Sequence, residues 1–91
     1  MAKSIISNEK VCYLCGSWHD LQRHHAIHGW ANRKLAEDDG LWVWLCMDCH
    51  AALHDKGKGD NELKATAETA WLEATGGTVE DFRRRYGKSF L

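Results

Sequence analysis

Two thiols and two imidazoles fall within the nine residues CMDCHAALH, Cys46 to His54, of a 91-residue chain that has four cysteines and six histidines. Thiolates and neutral imidazoles are the donors that hold zinc and related divalent ions. Cys46 and Cys49 form one CxxC pair, and Cys12 and Cys15 form another. Each such turn aims two sulfurs at one point, and two pairs complete a closed tetrahedral site. The pattern predicts a structural zinc on Cys12, Cys15, Cys46 and Cys49. The competing readings are two disulfides, free thiols or a redox pair. Structural disulfides are rare in the reducing cytosol. A redox CxxC opens a helix inside a βαβ pattern, and this chain has no such pattern.

Between the pairs runs RHHAIH, with His24, His25 and His28. His50 and His54, four residues apart, share one face of a helix. Cys49 and His50 are adjacent and point about 100° apart around the helix axis. One can face the zinc while the other faces elsewhere, so the nine residues can serve two separate metals. His24, His25, His50 and His54 form the candidate set for a second site. His19 and His28 read as surface or hydrogen-bonded histidines.

These side chains need elements to position them. LQRHHAI (21–27) and LWVWLC (41–46) read as strands. ANRKLAEDDG (31–40) reads as a short helix or ordered loop, and MDCHAALHDK as helical. On a regular strand His24 and His25 face opposite sides. Both can serve one site only at a bulge or a strand end. KGKGDN (56–61) reads as a turn-rich connector. NELKATAETAWLEATG sets Leu63, Ala67, Ala70, Trp71 and Ala74 at helical spacing, with Asp60 or Asn61 as N-cap and Gly76 as C-cap. TVEDFRRRYG offers a capping box of Thr78 and Asp81 and a stop at Gly87. The expected organisation is a single domain over 1–91, with a metal-bearing core at 11–55 and C-terminal helices at 60–91. So small a core is marginal without a staple, and zinc would supply one.

Net charge is −1 with neutral histidines, so any nucleic-acid partner depends on local basic patches. Arg23, Arg33 and Lys34 flank the histidines and are candidate phosphate contacts. Arg83–Arg85 with Lys88 form either a second such patch or a solvated helix face. Trp30, Trp42 and Trp44 frame the motif. Trp42 and Trp44 share a strand face, so at least one is expected in the core. No apolar run is long enough for a membrane span, and MAKSIISNEK lacks the apolar stretch of a secretory signal. The expectation is a cytoplasmic protein with no membrane partner.

CYLCG, LQRHHAI and LWVWLCMDCHAALH, between Val11 and Asp55, resemble the HNH endonucleases (the ββα-metal or His-Me finger nucleases), most of all the small phage and prophage HNH proteins. The ending RRRYGKSFL resembles that of some phage members. The resemblance implies an α+β fold, a small zinc-stabilised, treble-clef-like ββα-metal core with a C-terminal helical extension. It implies a metal-dependent endonuclease that hydrolyses DNA phosphodiester bonds, working in a bacterial or phage-infected host cell. It makes His24 a metal ligand, His25 the general base, and His50 and His54 the remaining ligands of a second divalent ion, Mg2+, Mn2+, Ni2+ or Zn2+. The family's central Asn, which orients the base, lies just before the second strand. Here that place reads EDDGLW, which leaves Asp38, Asp39, a backbone carbonyl or the earlier Asn32 to orient His25. Double-stranded DNA is the expected partner, and a homodimer through the helical half would pair the cuts. The alternative is a non-catalytic zinc module that binds DNA or a protein. Zinc deaminases need an H-x-E and P-C-x-x-C pattern, and this chain has no proline. Zinc-finger readers with two cysteines and two histidines per helix would leave two cysteines unexplained.

Overall fold

LQRHH and WVWLC have the β-branched and aromatic content of strands. In a computed structural model, which describes residues 3–57 and 59–91, they form β1 (Leu21–His25) and β2 (Trp42–Cys46). The two pair antiparallel without a bulge, from Leu21 opposite Cys46 to His25 opposite Trp42. Between them lies the helix α1 (Trp30–Asp39). It ends at Gly40, whose φ of 76° is left-handed. A Cβ there would also strike the Lys3 carbonyl, so the position needs glycine.

Cys46 closes β2 and caps the helix α2 (Met47–Lys56), its sulfur accepting from the Cys49 amide at 3.5 Å. No loop intervenes, so the strand sets the direction of the helix. The helix α3 (Asp60–Thr75) follows almost at once. Lys58, within the expected 56–61 connector, lies outside the described residues. The N-cap of α3 is Gly59, with φ 84°, and neither Asp60 nor Asn61 takes that place. The Asp60 carboxylate instead pairs with His28 and Lys64. The helix α4 (Val79–Tyr86) carries the expected capping box of Thr78 and Asp81 and stops at Gly87.

Among the described residues the fold is α+β, a two-stranded sheet with four helices. One hydrophobic cluster joins both halves of the chain. It contains Ile27, Leu41, Val43, Leu45 and Leu53 together with Leu63, Ala67, Trp71, Phe82 and Tyr86. Leu63, Ala67 and Trp71 form the buried stripe of α3, while Ala74 is exposed. Asp39 ties α1 to the last two helices. It accepts from Trp71 Nε1 at 3.0 Å, Tyr86 OH at 2.6 Å, and Arg85 Nε and Nη2 at 2.6 and 2.8 Å. Buried Glu68 accepts from Ser89 Oγ at 2.7 Å and the Phe90 amide at 2.5 Å, holding the C-terminal tail down. No described helix is long and apolar enough to cross a membrane.

Candidate metal centres and catalytic cleft

The first CxxC pair lies in the loop before β1, and the second lies at the junction of β2 and α2. The Cys12–Ser17 turn is anchored by the Tyr13 amide, which donates to the Trp44 carbonyl at 2.8 Å. All four cysteines are free thiols, and one sulfur from each lies within 4.8 Å of the others. Zinc–sulfur bonds of about 2.3 Å give a tetrahedron with edges of about 3.8 Å. The Cys15 and Cys46 sulfurs are 3.7 Å apart, far beyond a disulfide bond and close to that edge. Burial opposes ionisation of Cys12, but amides at Cys46, Cys15 and Leu14 outweigh it and bring its pKa down to about 6. Burial and then the neighbouring sulfurs push Cys49 up. Such a crowded thiol set is stabilised by a divalent cation. The four cysteines therefore fit a closed structural metal site such as zinc.

The second cluster straddles β1 and α2. Gln22 and His24 face α2, while Arg23 and His25 face α1, as strand alternation requires. One ring nitrogen each of His24, His50 and His54 lies within 4.8 Å of the others. His50 Nε2 and His54 Nε2 are 3.0 Å apart. Metal–nitrogen bonds of about 2.0–2.1 Å put neighbouring donors about 3 Å apart. His24 is buried, and its Nε2 has no hydrogen-bond partner among the described residues. An unsatisfied buried nitrogen is costly unless something binds it. Burial first, then His50 and His54, lower the His24 pKa to about 4. The ring is therefore neutral and available as a ligand. Burial and His54 also lower that of His50. His50 Nδ1 lies 2.6 Å from Gln22 Oε1. The amide oxygen accepts from Nδ1–H, which leaves the His50 Nε2 lone pair directed at the cluster. The donor set fits a divalent ion with open positions.

On the opposite strand face, His25 Nε2 lies 2.8 Å from Glu37 Oε1, and Arg23 Nη1 lies 2.8 Å from Glu37 Oε2. The bond from His25 and then that from Arg23 hold the Glu37 carboxyl below the usual range. None of the three orienting candidates sits here. Asn32 donates to the Tyr86 carbonyl at 3.0 Å, Asp39 is taken by Trp71, Arg85 and Tyr86, and Asp38 is exposed. The reason is helical phase. On α1, Glu37 faces β1, while Asn32 and Asp39 face α4 and its neighbour. The sequence offers three carboxylates in EDD, and composition cannot say which one turns inward.

One cleft of about 780 Å³ receives both strand faces, because β1 ends at His25. It is lined by His24, His50 and His54 on one side and by His25, Glu37 and Arg23 on the other. The strand end, with no bulge, brings the doublet together. Arg33 and Lys34 also line the cleft. Arg23 is committed to Glu37, and its guanidinium carbon lies 3.9 Å from the Trp42 ring centroid. Arg83, Arg84 and Arg85 pair with Glu80, Asp81 and Asp39, which makes that run a neutralised helix face. Sequence reasoning missed Glu37 and Gln22. It also left His28 out of the cleft, which His28 in fact lines with its Nε2 3.1 Å from Asp60. Strand alternation from His24 could have found Gln22, but nothing local marks the other two. No family model matches the chain, and no match was found among curated proteins or solved structures.

Proposed function

We propose that this chain is a metal-dependent endonuclease of the HNH type that hydrolyses DNA phosphodiester bonds. In this reading β1, β2 and α2 form a treble-clef-like ββα-metal core, with a structural zinc on Cys12, Cys15, Cys46 and Cys49. The observation that carries it is the divided histidine doublet. His24, with its buried unpartnered nitrogen, joins His50 and His54, while adjacent His25 is held by a carboxylate, and both open into one cleft.

The roles follow from the donor chemistry. A carboxylate accepts from an N–H, so Glu37 keeps the His25 proton on Nε2 and leaves the lone pair on Nδ1. Nδ1 takes a proton from water, and the oxygen bonds to phosphorus as the bond to the departing sugar oxygen breaks. That oxygen ends protonated from solvent. General-base help of this kind contributes roughly 10²–10⁴ in rate. A divalent ion on His24, His50 and His54, when bound, supplies charge stabilisation to the phosphate and the leaving oxygen. Arg33 and Lys34 attract and hold the anionic backbone. Glu37 takes the place of the orienting Asn.

The test is nicking of supercoiled plasmid with added Mg2+, Mn2+, Ni2+ or Zn2+. Wild type should cleave. His25→Ala should keep both metals and DNA binding and lose about 10²-fold or more in rate. His50→Ala should lose activity together with the second metal. Wild type that binds DNA and is inert with every ion would identify a binding module instead. Cleavage that survives His25→Ala would remove the base assignment.

A further inference from the structure

We propose that Trp30 is a base-stacking residue, which takes up an unpaired nucleobase of the DNA strand whose phosphates enter the cleft. The identity of the ligand rests on the endonuclease reading. The existence of the surface rests on the geometry of α1.

Trp30 is 97% exposed. The other four tryptophans differ. Trp42 and Trp71 are buried, Trp44 is half-buried in edge contact with Trp42, and Trp18, 71% exposed and outside the cleft, stacks on His19 with centroids 3.9 Å apart. Trp30 contacts no other ring among the described residues. An indole carries roughly 150–250 Å² of surface, most of it apolar, and leaving it in water is unfavourable.

Its position says what would cover it. Trp30, Arg33, Lys34 and Glu37 are spaced i, i+3, i+4 and i+7, which is one face of a helix. All four line the cleft. That face runs from the exposed indole, past two cations, to the carboxylate that holds His25. At about 1.5 Å per residue it is about 10 Å long, about three nucleotide steps of a stacked strand. The first turn of α1 has no acidic residue and no side-chain cap, so its free amides add positive potential beside the two cations. An aliphatic partner would cover the indole and leave Arg33 and Lys34 uncompensated. A nucleotide strand matches both, presenting a π face to the indole and phosphates to the cations.

The experiment uses the whole 91-residue, metal-loaded chain in a His25→Ala background, so that DNA is bound without being cut. The probe is a short DNA with an unpaired 2-aminopurine, whose emission falls when the base stacks. Binding should quench the probe. Trp30→Ala should abolish the quench and weaken binding roughly 10-fold, the scale of one lost base–aromatic stack, while Trp30→Phe keeps most of both. The slope of log K against log salt should be unchanged in Trp30→Ala, since no charge is lost. It should fall by about one contact in Arg33→Ala or Lys34→Ala. If Trp30→Ala binds and quenches like its parent, the stacking role is wrong and the endonuclease reading stands. If the DNA-free protein sediments as a dimer that Trp30→Ala splits, the indole belongs to a second copy and the proposal is overturned. Failure of every variant to bind DNA overturns the endonuclease reading as well.

Discussion

Glu37→Gln isolates the anion that orients the proposed base. Glu37 accepts from His25 and Arg23, both at 2.8 Å, and is 25% exposed in its side chain. The amide keeps size and shape, and its oxygen still accepts from Nε2–H, so the tautomer and the fold should persist. What disappears is the negative charge that stabilises the imidazolium formed as His25 takes a proton. Charge-assisted hydrogen bonds are roughly twice as strong as neutral ones, and the difference is about 1–1.5 kcal/mol for a partly exposed pair. That corresponds to about a 10-fold slower cleavage step. Glu37→Ala removes the acceptor altogether and should slow cleavage by about 10- to 100-fold. Single-turnover plasmid nicking would read the rate, with metal content and DNA affinity measured on the same samples. Metal content should match wild type, because Glu37 contacts neither metal cluster, and DNA affinity should be equal or higher, because a negative charge leaves a cleft that Arg33 and Lys34 also line. Asp38→Asn serves as the neighbouring control and should be silent. A Glu37→Gln rate equal to wild type, or a loss explained by departed metal, would refute the orienting role.

Cys46→Ser should release about one zinc per chain and unfold the domain, since a structural site contributes folding energy directly; elemental analysis with circular dichroism checks this, and retention of zinc and fold would exclude the four-sulfur site. Gln22→Ala should weaken nickel or zinc binding at the histidine cluster by about 10- to 100-fold through loss of the bond that directs His50, and His50→Ala should abolish it, as read by calorimetric titration. His24 has a folded pKa of about 4, below the ordinary 6.5, so the unfolded chain takes up a proton that the folded chain refuses. Its contribution is therefore fully present above pH 6.5 and is lost as pH falls toward 4, on the order of 2 kcal/mol between pH 7 and pH 5. Urea unfolding of protein with no ion at the histidine cluster should show that loss in wild type and a flatter profile in His24→Asn. Asp39→Ala strips Trp71, Arg85 and Tyr86 of their shared acceptor and should destabilise the fold by about 2–3 kcal/mol, lowering the melting temperature without changing metal content.

Local rules were enough for much of this molecule. The two CxxC spacings, the i,i+4 histidines of α2, the strand content of LQRHH and WVWLC, and the Thr78–Asp81 capping box depend on residues a few positions apart. Dihedral preference and helical or strand period act at that range, so these features could be read from the sequence directly. The period of two also showed that His24 and His25 must diverge, and alternation from His24 would have reached Gln22. The rest waited on the tertiary structure. That β1 ends at His25, so that a single cleft meets both of its faces, depends on where the chain leaves the sheet. That Glu37, and not Asp38 or Asp39, reaches His25 depends on the rotation of α1 about its axis, which packing against β1 and α4 sets. Asp60 was expected to cap α3 and instead bonds His28, because the chain folds back across a separation of 32 residues. Trp30 shows the same division. Its i, i+3, i+4 relation to Arg33 and Lys34 is sequence, but its exposure at the cleft was decided by which face of α1 the core left uncovered.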